Sequence, residues 1–108
     1  MSIKSGTLGG DNLVGGVEKI AYECNAPAVA VSCIVSFCNK TLGPVKVRLA
    51  FGSGADSSAQ GTIFLIHDKT IEPNGTLERT GVAISAGKKL FVKSDLSGVD
   101  VAVYGFEK

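Results

Sequence analysis

Residues 44 to 51 read Pro-Val-Lys-Val-Arg-Leu-Ala-Phe, with Val45, Val47, Leu49 and Phe51 at alternate positions and Lys46 and Arg48 between them. Successive side chains of a strand point to opposite faces, so this period lays the apolar set on a core and the cations in water. The alternation recurs. Ile20, Tyr22 and Cys24 share a parity, as do Val29, Val31, Cys33, Val35 and Phe37, then Leu90 and Val92, then Val99, Val101 and Val103. Apolar residues at i, i+3, i+4, i+7 are sustained nowhere, so no helix longer than a turn is expected.

Strands are expected at about 18–24, 28–38, 44–52, 62–67, 76–83, 88–94 and 99–106. Between them lie Asn25-Ala26-Pro27, the stretches 39–43 and 52–61, Pro73-Asn74-Gly75, Ala86-Gly87 and Leu96-Ser97-Gly98, all ordinary turn chemistry. Residues 2–16 hold five glycines and scattered apolar groups. They read as a loose arm carrying at most one short edge strand near Ile3 to Leu8, and able to reach a neighbouring subunit. The expected architecture is all-β, a single small β-sandwich or jelly roll of seven to eight short antiparallel strands without substantial helix. It divides into a flexible N-terminal arm, 1–16, and a sandwich domain, 17–108. The small, polar stretch 52–61 is expected to project from the sandwich as a flexible loop.

A chain of 108 residues supports one core and not two. Eleven cations against ten anions leave a net charge of +1, too little to mark a polyanion-binding surface, so nucleic acid is not an expected partner. The opening residues lack the apolar run of about 7 to 15 that a secretion signal needs, and no window approaches the roughly 20 needed to span a bilayer. The expected setting is a cytoplasm, with no membrane partner. There, three cysteines read as free thiols. Cys33 and Cys38 fall on opposite faces of one strand, roughly 16 Å apart at about 3.3 Å per residue. Cys24 and Cys33 are the one pair whose parity places both in the core.

Residues that carry chemistry are sparse. His67 is the sole histidine, and strand parity turns its neighbour Asp68 to the other face, away from the orientation a catalytic triad requires. Cys24, Cys33 and Cys38 have no zinc-site spacing, with or without His67. The stretch from Gly81 to Lys89 approximates a phosphate loop, but has five residues where four are needed, Lys89 where Ser or Thr would bind magnesium, and strands on both sides. The carboxylates Glu72, Glu78, Asp95 and Asp100 are scattered over turns and exposed strand positions. Asn39-Lys40-Thr41 and Asn74-Gly75-Thr76 match the glycosylation pattern, which is idle in a chain that is not secreted. No catalytic residue, metal ligand or cofactor is expected. Adjacent Glu78 and Arg79 should face opposite ways, and an Arg turned inward needs a partner on the core side or in a neighbouring subunit.

The segments Asn74-Gly75-Thr76-Leu77-Glu78-Arg79-Thr80-Gly81, Ser85-Ala86-Gly87-Lys88 and Val101 to Glu107 resemble small virion structural proteins of tailed phages, especially phages of cyanobacteria and other marine bacteria. So does Cys38-Asn39-Lys40 followed by Val45 to Leu49. The resemblance runs over most of residues 3–107 and is least clear at 52–62. It implies a tyrosine in place of His67 and a more polar residue in place of Ile66, so the chain departs from the pattern on that strand. It also implies a non-enzymatic particle component made in the host cytoplasm. The foremost form is a capsid decoration, or cement, protein bridging subunits of the major capsid protein. A homo-oligomer, a trimer among the options, is expected as well. The candidate interface residues, read from the sequence itself, are Ile3, Leu8, Leu13 and Val14, which would anchor the arm on a neighbour by strand addition or in shallow pockets, and Arg79, for an ion pair between subunits. A tail, baseplate or fibre adaptor is the second form, and a sandwich module for host-surface glycans a reading of another class.

Overall fold

The computed structural model describes residues 4–108, which form eight strands and no helix. They are β1 (Ser5–Leu13), β2 (Lys19–Glu23), β3 (Ala30–Asn39), β4 (Val45–Gly52), β5 (Ile63–Ile71), β6 (Thr76–Ser85), β7 (Lys89–Ser94) and β8 (Val99–Glu107). Sheet I has the order β1-β8-β3-β6 and sheet II the order β2-β7-β4-β5, with every pairing antiparallel. The chain thus builds an eight-stranded β-sandwich whose strand order is that of a jelly roll, two interleaved Greek keys.

The uninterrupted alternations mark the central strands. Val31, Cys33, Val35 and Phe37 of β3 and Val99, Val101 and Val103 of β8 meet Val45, Val47 and Leu49 of β4 and Leu90 and Val92 of β7 in one core. Each of these larger side chains contributes about 1.5–3 kcal/mol on full burial. Sheet II is also covered outside. Ala50 and Phe91 pair in register and are buried without belonging to the core cluster; Phe91 is 1% exposed. Their cover is the stretch 53–62, which crosses to Glu18 beside β2, where the carboxylate accepts from the Ser57 amide (2.9 Å) and hydroxyl. Lys88 Nζ to Ser53 Oγ (3.1 Å) and Lys89 Nζ to the Gly54 carbonyl (3.0 Å) hold its start. The loop expected to project is therefore folded down.

The boundary expected at 16/17 does not exist in the fold. β1 pairs with β8 from Ser5↔Phe106 to Leu13↔Val99, and Leu13 is a core residue at 3% exposure. A glycine-rich strand suits this edge because Gly9 lies against the Ala21 carbonyl of β2, where an added Cβ would sit 2.0 Å from the oxygen.

Every edge strand carries a register shift, the bulging that blunts exposed edges. Two shifts overturn parity readings. In β2 the extra residue Ala21 separates Ile20 from Tyr22, so Tyr22 is buried while Ile20 is 46% exposed. In β5 the pair His67 and Asp68 stands opposite Arg48 alone, with Asp68 at φ 55°. Asp68 therefore lies on the same side as His67. Val29, grouped with the core by parity, precedes β3 and is exposed.

Candidate interaction surfaces

The connections 14–18, 40–44, 72–75 and 95–98 meet at one end of the sandwich, around Asn39. This residue continues the inward parity of β3 and is fully buried. Its Nδ2 donates to the carbonyls of Gly43 (2.9 Å), Ile71 (3.0 Å) and Glu72 (3.2 Å), while Oδ1 accepts from the Thr41 amide (2.9 Å) and hydroxyl (2.7 Å). One amide thereby ties two loops together. The others are tied in turn: Lys40 N donates to Gly98 O (2.9 Å), Gly15 N to Ser97 Oγ (2.9 Å) and Gly16 N to Ser94 O (2.9 Å). Gly15 packs so closely on Leu96 that a Cβ would lie 2.9 Å from its Cα.

On this framework Val14, Val17, Leu42 and Leu96 are exposed, Leu42 at 94%. Apolar side chains held in water by pinned loops form a tip suited to burial against another surface. Lys40 is paired with Asp100 (3.1 Å), whose carboxyl is held below the usual range by the Asn12 amide (2.6 Å) and then by Lys40. The Asn39-Lys40-Thr41 pattern is not a modification acceptor in the folded chain, because its asparagine is the buried hub.

The outer face of sheet I is paved with small groups. Gly6, Gly81 and Gly105 lie in a depression of about 420 Å³ walled by Ile34, Tyr104 and Phe106. A larger residue cannot replace Gly105, where a Cβ would come within 2.2 Å of Ser32 O. The Tyr104 hydroxyl donates to Glu78 (2.8 Å), which raises the tyrosine's pKa.

Along the side where β5 and β6 lie, His67 and Asp68 are within 3.8 Å, but Arg48 holds both Asp68 oxygens (2.7 and 3.1 Å) and keeps that carboxyl below its ordinary pKa. The imidazole is exposed and meets Phe64 edge-on at 5.1 Å. Asp68 is thus an arginine partner that happens to neighbour a surface histidine. Ile66 packs partly against the core, which accounts for an apolar residue there.

Of the five candidate interface residues, the four that are described do not converge. Ile3 lies outside the described residues, Leu13 is core and Leu8, the extra residue of the β1 bulge, packs partly against it. Val14 belongs to the loop tip and Arg79 to the β5–β6 side. Glu78 faces outward toward Tyr104, while Arg79 pairs with Val35 and takes the core-side parity at the edge. The cysteines are free thiols, with Cys24 and Cys33 buried; burial, then the nearby Cys24, pushes the Cys33 thiol up to about 11. Among the described residues no group of three or more His, Cys, Asp or Glu converges as a metal site, and no helix is long and apolar enough to cross a membrane. Comparison with protein-family models, curated proteins and solved structures yields no match.

Proposed function

We propose that this protein is a non-enzymatic structural component of a virus particle, foremost a capsid decoration protein of a tailed phage that docks on the major capsid protein and braces neighbouring coat subunits. The observation that carries the reading is the loop tip: Val14, Val17, Leu42 and Leu96 are exposed on loops that Asn39 and its neighbours hold in place. A preordered apolar tip loses little conformational entropy on docking, so most of its burial is available as binding free energy. Contacts absent from the bare shell would then stabilise the shell by mass action. The jelly-roll order is common in capsid proteins and adds support by analogy of fold alone.

A second reading, a module for host-surface glycans, draws on the depression in which Tyr104 and Phe106 share the lining with Ser32 and Thr80. Cryo-electron microscopy of the parent particle separates these. Density for the sandwich between coat subunits, tip inward, is the expected result. Density on the tail selects the adaptor form, and absence from the particle overturns both particle readings and leaves the glycan module to be tested on immobilised sugars.

A further inference from the structure

The sandwich is closed along one side and open along the other. β1 and β2 close the first through the Gly9–Ala21 contact. β5 and β6 are the outermost strands on the second, each hydrogen-bonded to a single neighbour, and Leu65, Ile66 and Leu77 are only partly buried there. Two depressions of about 320 and 110 Å³ run along this side and share Leu65 and Arg79 in their lining.

The charges on this groove are unbalanced. Arg79 and Lys69 line it, and neither has a carboxylate within ion-pair distance among the described residues. Glu78 is the one carboxylate in the lining, and it is turned outward to Tyr104; Asp68 is held by Arg48. Because Arg79 and Leu77 pair with Val35 and Phe37, both take the core-side parity of β6, two residues apart. A strand laid antiparallel beside β6 would place its own residues opposite these two, also two positions apart and on the same face.

We propose that this side receives an extended acidic segment of a partner protein as a strand added to β6, with a carboxylate opposite Arg79 and an apolar residue, two positions away, opposite Leu77. Main-chain hydrogen bonds to the regular stretch 76–79 of this edge, ahead of the bulge at Thr80 and Gly81, supply affinity, and the unpaired cations select an acidic strand over a neutral or basic one. A charge at core-side parity on an edge strand also discourages pairing with like edges. The proposal therefore differs from a guard function in one respect: an acidic strand binds. It does not depend on the particle reading or on the loop tip.

The test uses the full chain, labelled with 15N, and two hexapeptides, acetyl-Thr-Val-Thr-Glu-Thr-Val-amide and its counterpart with Lys for Glu. Titration up to about 5 mM covers the weak affinity of an unoptimised hexapeptide. Expected are amide shifts confined to residues 63–67 and 76–82, with the acidic peptide bound about five-fold more tightly than the basic one, the ratio two modest charge terms give. Arg79→Glu should reverse the preference at an unchanged melting temperature. Absence of binding by the acidic peptide, equal binding of both, or shifts elsewhere would overturn the proposal. Concentration-dependent shifts at this side without peptide would also overturn it, by naming a second copy as the occupant.

Discussion

Replacing Asn39 by Ala should destabilise the protein out of proportion to the few atoms removed. The change deletes three donor contacts and two acceptor contacts made by a fully buried amide. The bond to Ile71 O is buried, whereas those to the 40–44 loop and to Glu72 O are partly buried, so water can replace some of what is lost. A buried polar group left unpaired costs about 1–3 kcal/mol, and the exposed share adds less, for a total of roughly 2–4 kcal/mol. At about 4–6 °C per kcal/mol for a domain of this size, the melting temperature should fall by roughly 8–24 °C. Asn39→Asp is the companion variant. It keeps both acceptor contacts to Thr41 but turns a carboxylate oxygen toward three carbonyls, so near neutral pH it should be the less stable of the two. Its folded-state pKa would be raised by burial and by those carbonyls, so the chain should regain stability as pH falls toward the unfolded carboxyl value, near 4. Urea melts followed by circular dichroism at pH 7 and pH 4.5 measure both variants. A loss below about 0.5 kcal/mol for Asn39→Ala, within the range of ordinary surface changes, would refute the hub.

Gly9→Ala should cost about 1–3 kcal/mol by overpacking against Ala21 O, visible as a lower urea midpoint; an unchanged midpoint would mean β1 and β2 do not close as described. Deleting the chain through Leu13 should give an insoluble or unfolded product on gel filtration and circular dichroism, because it removes β1 and strips cover from the core. Asp56, Asp68, Asp100 and Glu107 all have folded pKa values below their ordinary ones, through Ser58, Arg48, Asn12 and Tyr22 respectively. Depressed carboxyl values stabilise the fold above the unfolded pKa and are lost as pH drops through the folded ones, so melting temperature should decline below about pH 4, and less steeply in Tyr22→Phe. A thiol reagent should find three groups in denatured, non-reduced protein; in the native chain only Cys38 should react quickly, since Cys24 and Cys33 are buried.

The parts of the fold legible in the sequence are the strands without interruptions. β3, β4 and β8 alternate cleanly, and their apolar sets are the core. Parity failed where a bulge adds a residue, as at Ala21 and at His67–Asp68, because one extra residue exchanges the two faces for everything beyond it. β1 was unreadable by hydrophobicity, since its glycines answer to a close backbone contact that sequence does not display. Two further features are visible in the sequence. Asn39 extends the parity of Val31, Cys33, Val35 and Phe37, so a polar residue stood at a core position and required a full set of partners. Leu90-Phe91-Val92 is a continuous apolar run, which marks a strand covered on both faces, and the 53–62 loop is the second cover. The loop tip combines residues from connections far apart in sequence, so only the folded order of strands brings Val14, Leu42 and Leu96 together.

Whether the tip docks on the particle is decided by a binding comparison on purified particles lacking the protein. The measured quantity is occupancy as a function of concentration, for the native chain and for a Leu42→Ser, Leu96→Ser double variant. Fully burying a leucine contributes about 1.5–3 kcal/mol, and Leu42 is 94% and Leu96 51% exposed before docking, so the double change predicts binding weaker by roughly 40-fold or more, at a melting temperature within a few degrees of the native one. Equal occupancy of the two chains, or failure of the native chain to bind, would contradict docking by the tip.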